Sequence, residues 1–409
     1  MWKDLHKSRF ESYATEIGFV LAEITCAVKH LGQWMKRRRK PTPLFLFPSK
    51  SYILHEPYGV ALIVSPWNYP FQLLATPLVS AVAAGNCAVV KPSSLAQNTN
   101  EILAKIISNA FAPEHVAIAA ADNSETEHYL AERFDYIFYT GSVEYGKHVM
   151  AAAARNLTPV TLELGGKSPC IVDRDAETAA AARRIVWGKF TNCGQTCIAP
   201  DYILAHRDIK QELIRKLKEE IARQFGPDPK QSPDYPRVVN EAHFARLVSL
   251  LGDGNIVAGG DHDESDLYIA PTLLENTAPE SRVMQEEIFG PLLPILEFTD
   301  TTEAIRFVNG REKPLALYYF SGNKQKARDV LASTSSGGAC INDVMVHFAN
   351  TRLPFGGAGN SGTGNYHGRY GFETFSHVRA VMRTPVWPDI NLKFAPYGNK
   401  LKWVKRFLK

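Results

Sequence analysis

The sequence predicts an α/β protein of two successive parallel-sheet units, and three observations predict it. From Tyr52 onward, short β-rich runs alternate with helical stretches, the pattern of a parallel sheet flanked by helices. The alternation pauses near residue 163 and then resumes, so a second α/β unit follows the first. With 409 residues, 45% of them hydrophobic and 22% charged, the chain can bury a large core and is neither disordered nor of low complexity.

Taken in order, residues 11–40 read as one amphipathic helix with Ile17, Leu21, Ile24, Val28, Leu31 and Met35 on a single stripe. The basic run at 36–40 reads as its solvated end, before Pro41 and Pro43. Strands follow at 60–64, 87–90 and 136–139, with helices over 77–84, 99–111 and 148–155. Beyond residue 163 come helices over 177–190 and 209–225 and β runs at 202–205, 288–298, 316–320 and 339–342. The Pro-rich stretch 226–236 reads as a surface loop. In the Gly-dense stretch 353–364, residues free of Cβ constraints let the backbone fold tightly or approach a ligand.

Lys and Arg total 46 against 42 Asp and Glu, a formal charge of +4, which is too slight an excess to call for a nucleic-acid partner. Six cysteines (Cys26, Cys87, Cys170, Cys193, Cys197, Cys340) lack the spacing of a secreted disulfide scaffold or a zinc ribbon, so a reducing cytoplasm is the expected compartment. The first ten residues hold no signal-peptide core, and no apolar run reaches the roughly 18 residues that cross a bilayer. The C-terminal stretch 399–409 is different. Leu401, Val404 and Leu408, flanked by Trp403 and Phe407, recur at helical spacing among basic residues. Such a tail either touches an anionic membrane surface as a peripheral contact, or docks on its own protein or stays free.

Four stretches carry candidate chemistry. The strand-to-helix turn of residues 139–147 holds Gly141 and Gly146, and can aim backbone N–H groups and a helix dipole at a phosphate. Its Gly-x4-Gly spacing is not the Gly-x-Gly-x-x-Gly fingerprint, and an ordinary turn fits it too. Cys197 lies just past a helix in a polar, turn-forming context that exposes a thiol. Cys193 would complete a Cys-x3-Cys pair, but no second pair accompanies it, so the reading is no metal and a nucleophile in one of the two cysteines. Glu163 ends an apolar strand before Gly165-Gly166, where a carboxylate with a raised pKa can take a proton from water, although a lone Glu there reads first as an exposed strand end. Asn68, in Ser65-Pro-Trp-Asn-Tyr-Pro-Phe71, is an amide suited to an oxyanion, with a turn-stabilising role as the alternative.

An ordered series of motifs runs along nearly the whole chain. It comprises Pro66-Trp-Asn-Tyr-Pro-Phe71, Ala84-Gly-Asn86, Val90-Lys-Pro-Ser93, Tyr139-Thr-Gly-Ser142, the run 158–169 around Glu163, Gly194-Gln-Thr-Cys-Ile-Ala-Pro-Asp-Tyr202, Glu286-Glu-Ile-Phe-Gly-Pro291, Leu353-Pro-Phe-Gly-Gly357, Tyr366-His-Gly368 and Thr374-Phe-Ser-His377. By these residues the chain resembles the NAD(P)-dependent aldehyde dehydrogenases, most of all the class 3 and fatty aldehyde dehydrogenase group. The resemblance implies a Rossmann-like nucleotide-binding domain over 1–163 with arm strands near 51–58, and a catalytic α/β domain over 164–345. A closing segment over 346–409 would add an oligomerisation strand and the basic tail, in a homodimer.

The resemblance also implies roles. Cys197 would attack the aldehyde, Asn68 with the Cys197 N–H would hold the oxyanion, and Glu163 would activate the water that hydrolyses the thioester. Gly141, Ser142, Val143, Glu144, Tyr145 and Gly146 would meet the cofactor pyrophosphate, Lys91 the adenosine ribose, and Glu287 with Phe289 the nicotinamide end. Trp67, Tyr69 and Phe355 either line a tunnel for medium or long apolar aldehydes, aliphatic or aromatic, or pack in the core.

Three departures from the family pattern stand out. Val143 and Tyr145 replace a usual Thr and a smaller aliphatic residue. Ser94 stands where class 3 members commonly carry Glu, so NADP is expected to serve beside NAD. Relatives carry roughly 45 to 50 residues ahead of the point matching Asp4, a fraction of a domain, so the chain reads as N-terminally shortened. A shortened, non-catalytic partner of a full-length homologue is accordingly the alternative to an active enzyme.

Overall fold

A computed structural model describes residues 1–122 and 124–408. Five parallel strands, Val60–Val64, Cys87–Lys91, Val116–Ile118, Tyr136–Gly141 and Val160–Leu164, form one sheet, and Gly362–Thr363 joins its edge antiparallel to Val160–Leu164. Helices Gln72–Ala83 and Gln97–Ala110 provide the crossovers that parallel pairing requires. Alternate side chains serve opposite faces: Ile63 and Phe138 enter one apolar cluster, Leu62 and Ile137 the other.

A second sheet of seven strands runs in the order Asn255–Ala258, Thr272–Glu275, Leu292–Phe298, Tyr202–His206, Pro169–Val172, Ala316–Phe320, Gly338–Ile341. Only its first strand is antiparallel to its neighbour. Its central strands, such as Ala316–Phe320, are buried throughout, as expected of a parallel sheet covered on both faces. Strands Arg38–Lys40, Lys50–Pro57 and Ser376–Arg383 form a third, antiparallel sheet, with Lys50–Pro57 in the middle.

The N-terminal stretch departs from the single helix expected over 11–40. A short helix Arg9–Ser12, a π-helical turn Tyr13–Ile17 and a helix Gly18–Trp34 take its place, and Arg38–Lys40 of the basic run becomes an exposed strand. The buried face is also not the predicted stripe. Phe19, Val20 and Trp34 are buried with Glu16 and Glu23, whereas Ile17, Leu21, Ile24, Val28 and Met35 are exposed. Two glutamates on the inward face explain the miss, because each accepts backbone N–H groups that hydropathy cannot foresee: Glu16 from Phe71, Glu23 from Gly368.

Smaller shifts have local causes. The helix expected over 77–84 starts at Gln72 and carries Pro77 inside it. The helix expected over 148–155 starts at Val143, because the Ser142 side chain accepts the Tyr145 N–H and caps it. The β run expected over 288–298 begins only at Leu292, since Phe289 is left-handed (φ 49) and Gly290-Pro291 follows. The tail forms a seven-residue helix, Leu401–Phe407, and Lys409 lies outside the described residues. No helix among the described residues is long and apolar enough to cross a membrane.

Candidate active site

The register of the first sheet aligns its strand ends. Val64 pairs beside Lys91 and Thr140 beside Glu163, so the chain leaves the sheet at one edge as the Asn68 loop, Lys91, Gly141-Ser142 and Glu163. That edge, beyond the carboxyl ends of parallel strands, is where open α/β sheets bind ligands. A cleft of about 740 Å³ opens there. Its walls include Trp67, Asn68, Gly141, Ser142, Glu163, Cys197, Glu287 and Phe289. A second, narrow cavity, almost wholly apolar, is lined by Tyr69, Leu73, Ile198, Phe348, Phe355 and Tyr366, among others. Cys197 lines both. The thiol therefore stands where two cavities meet, one lined in part by polar and charged side chains such as Asn68, Glu163 and Arg246, the other almost wholly apolar.

Tight backbone turns bring Cys197 there. Asn192, Cys193 and Gly194 are all left-handed (φ 52, 54 and 72), and Gly194 fits against the Gly290 carbonyl where a Cβ would collide. Asn68 is buried, and its Nδ2 donates to the Gln195 carbonyl at 3.0 Å. An amide has two N–H groups, so one remains to face the cleft. That bond also fixes which end of the amide is nitrogen, because an oxygen there would oppose a carbonyl. Tyr69 Oη lies 2.7 Å from Thr196 Oγ1, a second tie between the two loops.

The electrostatics are those of a dry site. Glu163 is buried and neither of its oxygens has a hydrogen-bond partner, so burial pushes its pKa well above the usual 4.5. Burial likewise pushes the Cys197 thiol up. The Glu287 and Glu163 carboxyls add to that shift, and the backbone N–H groups of Cys197 and Ile198 oppose it. Glu287 is raised to about 8, by burial first and then by Asp201, while the Gly166 N–H pulls the other way. Arg246 holds the Glu287 loop through the Ile288 carbonyl at 2.5 Å. Burial thus favours the neutral form of the thiol and of both carboxyls.

Not every residue of the resemblance reaches the cleft. Gly141 and Ser142 line it, but Val143, Glu144, Tyr145 and Gly146 do not. They form the first turn of helix Val143–Ala154, where Gly146 packs against Leu164 and Tyr145 donates to Glu127 at 2.8 Å. Lys91 is buried at its strand end and does not line the cleft. Trp67 requires a correction. Its ring stands edge-on to Phe289, 5.5 Å away, in the cleft beside Asn68, because the chain bends through residues 67–69 and sends Tyr69 alone into the apolar cavity. Tyr69 and Phe355 border the apolar cavity and are themselves buried.

No signal in the sequence marks Tyr366 and His367 as bordering the apolar cavity, or His243 and Arg246 as standing beside the cleft. Buried His367 stacks on Phe355 at 5.2 Å, and burial lowers its pKa to about 3, so the imidazole is a neutral ring in an apolar wall.

Comparison with known proteins decides the family. The aldehyde dehydrogenase family profile matches residues 3–381. This chain belongs to the aldehyde dehydrogenase family. It is 47% identical over 411 residues to 4,4'-diaponeurosporen-aldehyde dehydrogenase of Staphylococcus aureus (strain NCTC 8325 / PS 47), covering all of this chain and 90% of that one. It is 48% identical over 408 residues to aldehyde dehydrogenase family 3 member A2 of Mus musculus, covering 99% of this chain and 84% of that one.

Among solved structures, the substrate-bound state of Staphylococcus aureus AldH superposes with a TM-score of 0.98 at 47% identity, over 100% of this chain and 90% of that one. An NAD-dependent aldehyde dehydrogenase from Sinorhizobium meliloti gives 0.85 at 30%, over 94% and 78%. The chain is thus an NAD(P)-dependent aldehyde dehydrogenase of the family 3 type, and a match along its whole length speaks against a non-catalytic partner.

The residues present fit a dinucleotide cofactor for this dehydrogenase. Gly141 and Ser142 open the cleft at the N-terminus of a twelve-residue helix, a setting that favours phosphate, and the buried Thr140 hydroxyl beside them has no partner.

Proposed function

We propose that this aldehyde dehydrogenase oxidises medium-chain and long-chain aliphatic aldehydes, and aromatic ones, through a covalent adduct on Cys197. The observation that carries the reading is the position of that sulfur, between an apolar tunnel that suits an aldehyde chain and a polar cleft that suits a dinucleotide. Cys197 passes its thiol proton to solvent water, and the sulfur attacks the aldehyde carbonyl, so that a sulfur–carbon bond forms as the carbonyl π-bond opens onto oxygen. The free N–H of Asn68 and the Cys197 backbone N–H receive the charge that develops on oxygen. When bound, NAD(P) supplies the hydride acceptor that turns the adduct into a thioester.

Glu163 in its deprotonated form then takes a proton from water, whose oxygen attacks the thioester carbonyl; the carbon–sulfur bond breaks, and Glu163 passes that proton to the departing sulfur, so that acid and thiol are both released. Its lack of any hydrogen-bond partner leaves it available for that water. Gly141, Ser142, Lys91, Glu287 and Phe289 would hold the cofactor, with Val143 to Gly146 building the helix turn behind the phosphates. Ser94 leaves room for NADP as well as NAD. The 4,4'-diaponeurosporen aldehyde named for the S. aureus relative is a further candidate substrate.

The test is reduced cofactor formation at 340 nm with hexanal, a long-chain aldehyde and benzaldehyde, with NAD or NADP, in the unaltered chain and in Cys197→Ala and Glu163→Gln. Loss of all turnover in Cys197→Ala and retention of a single fast turnover in Glu163→Gln support the assignment. Turnover surviving Cys197→Ala refutes it.

The same reading takes residues 1–163, 164–345 and 346–409 as nucleotide-binding, catalytic and closing parts, and takes the arm as the seat of a homodimer. Strand Ser376–Arg383 is an edge strand with Val378 and Met382 exposed, which supports pairing with a second copy. Solution mass tests it. The chain would work in the cytoplasm, and the exposed Leu401, Trp403 and Leu408 amid basic residues support a peripheral contact with anionic lipid, tested by sedimentation with phosphatidylserine vesicles.

A further inference from the structure

Lys7 and Glu16 are fully buried, with Lys7 Nζ 2.6 Å from Glu16 Oε1. A buried ion pair is costly to desolvate and is retained where its remaining donors and acceptors are also used. Here they all serve one loop. Lys7 Nζ also donates to the Asn68 carbonyl at 3.0 Å and stands 4.1 Å from the centre of the Tyr69 ring. Glu16 Oε2 accepts the N–H groups of Phe71 at 2.9 Å and Gln72 at 3.3 Å. One pair thus grips residues 68, 69, 71 and 72, the loop that carries the oxyanion amide.

The grip extends to the cysteine side. The Asn68 carbonyl that accepts Lys7 also accepts Asn192 Nδ2 at 2.8 Å, and the N–H of left-handed Asn192 donates to Glu11 at 2.8 Å. Apolar residues in place of Lys7 and Glu16 would fill the same space but leave one carbonyl short of a donor and two N–H groups without acceptors. A donor aimed at developing charge helps only if it is held in place before the reaction, and small misplacements are costly.

We propose that Lys7 and Glu16 are positioning residues for aldehyde oxidation, fixing the backbone of residues 68–72 so that the free N–H of Asn68 meets the oxyanion formed beside Cys197. The inference rests on the reading of Asn68 as oxyanion donor, and the test separates the two. The measurement is the stopped-flow burst of NADH from enzyme mixed with NAD and hexanal, alongside thermal melting and NAD affinity. The double variant Lys7→Met/Glu16→Gln removes both charges, so none is left buried alone. It is expected to fold and bind NAD as before while its burst slows at least about tenfold. Combined with Asn68→Ala, it is expected to add no further loss, because both changes act on the same N–H.

A burst within about twofold of the unaltered chain, or a loss that multiplies with that of Asn68→Ala, overturns the proposal. Should the double variant fail to fold, Lys7→Arg takes its place. It keeps the charge but not the compact ammonium that serves carboxylate, carbonyl and ring together, and the same non-additivity with Asn68→Ala decides. If Asn68→Ala alone leaves the burst unchanged, the oxyanion reading fails and this inference with it. If Asn68→Ala slows the burst and the pair does not, only this inference fails.

Discussion

The Nδ2 of Asn68 donates to the Gln195 carbonyl across 3.0 Å, which joins the loop after Val60–Val64 to the turn that delivers Cys197. The bond orients the amide, and under the proposed mechanism the remaining N–H is the donor left for the reaction. Asn68→Ala removes that donor, and loss of one such donor costs about 10²–10³ in rate. The loss should fall on the NADH burst, with the KM for aldehyde little changed. Asn68→Asp should be no better, since a carboxylate oxygen would then face the Gln195 carbonyl.

Glu163 gives a prediction with a sign. Its carboxyl is raised well above 4.5 by burial, so the deprotonated form, the proposed activator of water, becomes more abundant as pH rises. Thioester hydrolysis should therefore quicken from pH 6 to 9 in the unaltered enzyme. In Glu163→Gln it should be slower by about 10²–10⁴ and lose that pH dependence, while the burst survives.

Stability of the enzyme without cofactor should move the opposite way. A carboxyl whose folded pKa is raised favours the folded state fully below its unfolded pKa near 4.5, and that contribution is lost as pH climbs through the folded value. Melting temperatures across pH 5 to 9 should fall for the unaltered chain relative to Glu163→Gln. Parallel curves would show that Glu163 is not held neutral.

These residues differ in how legible they were. Strands such as Ala316–Phe320 and helices such as Lys210–Phe225 announce themselves by local pattern, because burial of a whole strand or of one helix face is written in consecutive residues. Cys197, Glu163 and Asn68 could be singled out because their chemistry is unusual beside turn-forming neighbours. Lys7 and Glu16 could not. Their value comes from backbone groups about 60 positions away in sequence, and no hydropathy pattern records that an inward helix face carries a carboxylate. Trp67 was assigned to the wrong cavity for a related reason. An aromatic ring suits an apolar tunnel and a nicotinamide cleft equally, and only the direction of the loop separates them.

Gly194 should prove intolerant of any side chain. It is left-handed at φ 72, and an added Cβ would meet the backbone carbonyl of Gly290, which cannot rotate away as a side chain can. The strained conformation alone costs about 1–2 kcal/mol, and the collision adds to it. Gly194→Ala should lower the melting temperature and slow the burst together, because the turn that shifts is the one that carries Cys197. A melt displaced without any change in the burst would mean that the cysteine loop adapts independently of Gly194.

The tunnel predicts how rate depends on substrate length. Its wall next to Cys197 is almost wholly apolar, formed by Tyr69, Leu73, Ile198, Phe348 and Phe355 among others. Each methylene that moves from water into such a wall is worth about 0.8 kcal/mol. If that free energy is expressed in the transition state, kcat/KM should rise about fourfold per carbon until the chain outgrows the tunnel. A series of straight-chain aldehydes from propanal to dodecanal should therefore climb steeply and then level off. Phe348→Ser, which puts a hydroxyl into the wall, should flatten the climb for long aldehydes and leave propanal nearly unaffected. A flat series in the unaltered enzyme would mean that the aldehyde chain lies elsewhere.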